Sequence, residues 1–145
     1  MNWNEQCISA LRERKLFEDS WHLTRFKELL DCYAGYPFFT KGLCKCMYLS
    51  AWDEEHFCLM LEMLMSMSLG QETTLGDMRI NGDRMAENQK DAQVHIYHLS
   101  NAFLDNAPFR LKETEDIPAD IRYIIDRALL ASEIIDGLPQ PPHHI

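Results

Sequence analysis

Apolar residues recur along most of the chain at steps of three and four, the spacing that lines up one face of an α-helix. Trp3, Cys7, Ala10, Leu11 and Phe17 mark a first helix from about Trp3 to Glu18. Leu23, Phe26, Leu29, Leu30 and Tyr33 mark a second, opened by Ser20 as N-cap and stopped at Gly35 before Tyr36-Pro37. A third, from Phe38 to Leu49, places Phe39, Leu43, Cys46 and Met47 on one side. Gly42 weakens it, because glycine inside a helix costs about 1 kcal/mol relative to alanine.

Ser50-Ala51-Trp52-Asp53 resembles a capping box with Asp in place of Glu, so a fourth helix is expected from Ala51 to about Leu69, ending at Gly70. Apolar side chains cover most of its circumference, which predicts a place at the centre of the fold. Residues 70–83 contain three glycines and no helical period, and are expected to form a long, exposed loop. A fifth helix is expected from about Arg84 to Asp105. A sixth runs from Pro118 to Asp136 and is closed by Gly137 and Pro139. The pattern predicts an all-α domain over residues 1–138, a bundle of five to six helices. A flexible Pro-rich tail over 139–145 follows it.

Composition narrows the classes of function. The chain has 145 residues, 46% of them apolar, enough for one domain with a core that needs no metal or disulfide staples. Its net charge is −9, and the negative charge is concentrated after residue 50. No basic stripe is available to release counterions from phosphates, which argues against nucleic-acid binding. The longest apolar run, His56 to Leu69, is too short to span a bilayer. No basic region followed by an apolar stretch opens the chain, and the five cysteines suit reduced thiols, so a cytoplasmic location is expected.

Candidate chemistry is sparse. Asp91, His95 and His98 project from one side of the expected fifth helix and could bind a divalent transition metal with help from another element. The nearest partner motif, Asp53-Glu54-Glu55-His56, departs from the Glu-x-x-His pattern of di-iron bundles. Glu55, Glu62 and Ser66 fall within about 40° of one another on the fourth helix, either as a polar groove or as its strip of contact with water. Cys44 and Cys46 point about 160° apart on a helix and read as packing residues. Asp77 to Gly82 imitates the start of a calcium loop, but Arg79 stands where an oxygen ligand is required. No phosphate loop, nucleophile elbow or zinc-protease helix occurs. The methionines Met60, Met63, Met65 and Met67, with Leu75, Met78 and Ile80 of the loop, form a candidate interaction surface. The expected function is therefore contact with a protein partner or a second copy of the chain, without a cofactor or a membrane. The alternative is a metal-dependent enzyme or metal-binding bundle using Asp91, His95 and His98.

Overall fold

A computed structural model of the chain describes residues 2–70, 94–109 and 117–141. Among them are six helices and no strand, as the periodicity predicts: α1 (Trp3–Glu13), α2 (Ser20–Tyr33), α3 (Lys41–Ser50), α4 (Glu54–Ser68), α5 (Val94–Leu104) and α6 (Ala119–Asp136). They pack around one core. No helix of the described residues is long and apolar enough to cross a membrane. Of the loop expected at 70–83 only Gly70 is described, and residues 71–83 and the first part of the expected fifth helix, to residue 93, lie outside the described residues.

Side-chain caps set most of the helix starts. Asn2 and Glu5 form a reciprocal capping box on α1. This helix ends at Glu13, short of the expected Glu18. Lys15 adopts φ 56°, and the Leu16 and Lys15 N–H groups return to the carbonyls of Leu11 and Arg12. That is a Schellman closure with lysine in the place usually held by glycine, and it turns Leu16 into the core. On α2 the N-cap is Asp19 instead of Ser20, and on α3 it is Thr40. The start of α4 also moves, from Ala51 to Glu54. Ser50 is the last residue of α3, its hydroxyl bonded back to the Met47 carbonyl, and Asp53 caps α4.

The central helix is α3, where α4 was expected. Every residue from Leu43 to Ser50 is buried, and α3 packs against α2, α4, α5 and α6. By contrast α4 buries only Phe57, Met60, Leu64 and Met67, and its other apolar residues lie nearer the surface. Gly42 explains why the weaker helix takes the centre. A Cβ there would lie 2.4 Å from the Phe103 carbonyl oxygen, so glycine lets the α5 backbone approach α3 closely. The same helix anchors α6. Lys41 donates to the carbonyls of Asp136 and Leu138, and Lys45 pairs with the Asp136 carboxylate at 2.7 Å. Two cations thus meet the negative end of α6.

At the C-terminal end the indole N–H of Trp3 donates to the Pro139 carbonyl at 2.8 Å, and Pro141 is buried. The segment expected to be a tail therefore begins as a strap across α1. Residues 142–145 lie outside the described set.

Candidate functional site

Two aspartates cap helices in the same way. Asp19 and Asp53 each accept the backbone N–H of the residue three positions on, His22 and His56, at 2.8 Å. Both histidines therefore enter the first turn of a helix with their rings near the core. From there their surroundings diverge.

The His22 ring is closed in on every side. Its Nδ1 accepts from the Glu18 N–H at 3.1 Å, which leaves the proton on Nε2 to donate to the Tyr48 carbonyl at 2.9 Å. The rings of Phe17, Tyr48 and Trp52 surround it. Burial pulls its pKa down from 6.5 to about 4, despite the opposing backbone bond to Tyr48, so this imidazole is a neutral part of the core.

The His56 ring instead turns back to its own cap. Its Nδ1–H donates to the second Asp53 oxygen at 2.6 Å, which fixes the proton on Nδ1 and directs Nε2 away from the aspartate. This hydrogen bond raises the His56 pKa against the opposing effect of burial. Burial alone would raise the Asp53 carboxyl, but the bonds from the His56 ring and backbone hold it below the usual aspartate value. The Tyr97 ring of α5 lies edge-on to His56, 5.6 Å between centroids.

His56 lines a cavity of about 70 Å³ where α3, α4 and α5 meet. Leu49, Leu59, Met60, Met63, Ile96 and Leu104 make its apolar wall, with Cys46, Ser50, Tyr97, Ser100 and Asn101 among the remaining lining residues. Three of these polar groups are bonded within the protein. Ser50 donates to the Met47 carbonyl, the Cys46 thiol to the Ser100 carbonyl, and the Ser100 hydroxyl to the Cys46 sulfur. Among the described residues, His56 Nε2 and Arg127 Nε are the buried side-chain polar atoms without a hydrogen-bond partner, and of these two residues His56 lines the cavity. Buried polar groups are nearly always paired, so this nitrogen retains hydrogen-bonding capacity that no described protein group uses.

The geometry favours binding over nucleophilic catalysis. Burial pushes the Cys46 thiol up to about 12, and the Ser100 hydroxyl donates to that sulfur instead of to His56. Cys44 is also held well above the ordinary thiol value by burial. Its sulfur lies 3.9 Å from that of Cys7 in the core.

The residues singled out from the sequence are spread apart. Asp91 lies outside the described residues, His95 is half-buried and hydrogen-bonded or otherwise engaged, and His98 is exposed. No group of three or more His, Cys, Asp or Glu side chains that could hold a metal occurs among the described residues. Glu55 and Glu62 are exposed and Ser66 is half-buried, so the two carboxylates face water. Met60 and Met67 are buried, Met63 is half-buried and lines the cavity, and Met65 is 52% exposed. Leu75, Met78 and Ile80 lie outside the described residues. The sequence pointed to Asp53 and His56 only as a partner motif for a metal on the expected fifth helix, not as a pair beside a cavity. The pair's signal was an aspartate N-cap with histidine three residues later, which gives no hint of a neighbouring cavity.

Comparison of the chain with protein-family models, curated proteins and solved structures finds no match.

Proposed function

We propose that the protein binds a small molecule in the α3–α4–α5 cavity. His56 recognises the ligand's polar group, and Met60, Met63, Ile96 and Leu104 surround its apolar part. The observation that carries this reading is the buried, unpartnered Nε2 of His56, on a ring whose other nitrogen is fixed by Asp53. A largely apolar concavity with one oriented polar group is the usual composition of a ligand site. Flexible thioethers at two wall positions allow the wall to adapt.

Screening a library of small amphiphilic fragments by NMR, with methyl-labelled methionine, tests the reading. Fragments that bind are expected to shift the Met60 and Met63 methyls together with the His56 ring nitrogens, and His56→Ala is expected to weaken them by tenfold or more. A library that leaves all these signals in place counts against a ligand at this site.

Contact with a protein partner or a second copy of the chain is a second reading, supported by two large apolar residues near the end of α4, Met65 and Leu69, which are 52% and 70% exposed. Sedimentation across a concentration series tests it. Self-association that Met65→Lys abolishes would place the interface on this face, whereas a constant monomer mass would remove the homodimer.

A further inference from the structure

Cys7 and Cys44 bring two thiols together in the core, away from the α3–α4–α5 cavity. Cys7 belongs to the buried stripe of α1 with Trp3 and Leu11, and Cys44 follows Leu43 on α3. Neither residue has exposed surface, and their sulfurs touch at 3.9 Å although 37 positions separate them in sequence. That separation leaves no room for another atom between them. The other cysteines face elsewhere. Cys46, two residues further along α3, donates to the Ser100 carbonyl of α5. Cys32 and Cys58 are exposed, on α2 and α4.

To reach a sulfur–sulfur bond of about 2.05 Å the pair must close by about 2 Å, or about 1 Å at each sulfur. Such a bond would add a covalent tie where α1 is held by packing and single polar contacts. Nearby, the Trp3 ring lies edge-on to Phe39 at 5.5 Å, and its indole donates to the Pro139 carbonyl.

We propose that Cys7 and Cys44 are an oxidation site, at which a small-molecule disulfide such as oxidised glutathione converts the two thiols into a disulfide that fastens α1 to α3. One cysteine, as thiolate, attacks a sulfur of the small disulfide, forming a mixed disulfide and releasing one glutathione thiolate. The second cysteine, as thiolate, then attacks the protein sulfur of the mixed disulfide and releases the other. The protein gives up two electrons and two protons, and one small disulfide becomes two thiols. Burial keeps the Cys44 thiol protonated in the closed structure, and both sulfurs are covered. The first attack therefore waits until α1 and α3 part locally, and the second closes the bond as they return.

The test is incubation of the full chain with oxidised glutathione, in buffer and in sub-denaturing urea, followed by acid quenching, alkylation of free thiols and peptide mapping. The expected product has lost two hydrogens in mass and carries Cys7–Cys44, in roughly tenfold or greater excess over Cys7–Cys46. In an unfolded chain these pairings span 37 and 39 positions and close with about equal ease, so their ratio reports the folded geometry. The reaction should speed up as urea increases local opening. Freed of urea, the oxidised chain should melt about 10 °C above the reduced one, because the bond closes a long loop in the unfolded chain. Dithiothreitol should reverse the gain. Cys32→Ser/Cys58→Ser, which changes exposed residues alone, should behave as the parent in every respect. Cys7–Cys46 as abundant as Cys7–Cys44, or glutathione adducts with Cys7 and Cys44 left as free thiols, would overturn the pairing. A Cys7–Cys44 product that melts no higher than the reduced chain would overturn the fastening of α1.

Discussion

His22 and His56 begin from the same local sequence, an aspartate N-cap followed three residues later by histidine, and reach opposite states. In the α2–α3 region the ring of His22 satisfies a loop N–H and a buried carbonyl, and aromatic rings close around it. In the α3–α5 region the ring of His56 is held by its own cap, leaves its other nitrogen buried without a partner, and lines a cavity. The difference comes from what the rest of the chain brings to each ring. A motif shared by two helix starts fixes the backbone of both, and tertiary packing decides which histidine is structural.

The largest expected contrast is in stability. His22→Ala would remove a buried ring and orphan the Tyr48 carbonyl, and should cost about 3 kcal/mol. The matching His56→Ala change breaks a pair whose aspartate side chain is 46% exposed, and should cost about 1 kcal/mol or less. Denaturant unfolding of the two variants measures both, and equal losses would erase the distinction between the regions.

The pH dependence of stability sharpens the contrast because the two rings act with opposite sign. His22 has a folded pKa of about 4, below its unfolded value of 6.5, so its contribution is complete above pH 6.5 and is lost as pH falls toward 4. At about 1.4 kcal/mol per pH unit this amounts to about 3 kcal/mol. The raised pKa of His56 gives a contribution that is complete below pH 6.5 and lost as pH rises through its folded value. Together they predict a stability maximum near pH 6.5, measurable as the midpoint of urea unfolding across pH. Asp53→Asn should flatten the alkaline side, and on the acid side it should remove the contribution of the depressed Asp53 carboxyl, which is lost below the usual aspartate range, while keeping that of His22.

A smaller effect concerns the wall between the regions. Gly42→Ala gains about 1 kcal/mol of helix propensity but drives a methyl group into the Phe103 carbonyl. Net destabilisation of about 2 kcal/mol is expected from thermal or denaturant unfolding. A stabilised variant would show that α3 and α5 do not need this close approach.

The same particulars show what can be read from the sequence. Periodicity was sufficient for the existence and rough extent of the helices, because each needs only its own apolar stripe. Boundaries failed where a cap had competitors, as Asp19 did with Ser20 and Asp53 with Ser50, and where Lys15 ended α1 without a glycine. The order of burial failed for a different reason. Met-rich α4 has more apolar surface than one side of a bundle can cover, whereas α3 becomes central through the space that Gly42 leaves for a backbone 61 positions away in sequence. The cavity was illegible for the same cause, since its walls come from three helices whose approach no local pattern encodes.

The most direct measurement is a long-range ¹H–¹⁵N spectrum of the histidine rings followed from pH 3.5 to 9. His56 should carry its proton on Nδ1 when neutral and titrate above 6.5, while His22 should carry it on Nε2 and titrate near 4. A neutral His56 protonated on Nε2, or one that titrates below 6.5, would contradict the Asp53-oriented imidazole on which the proposed site depends.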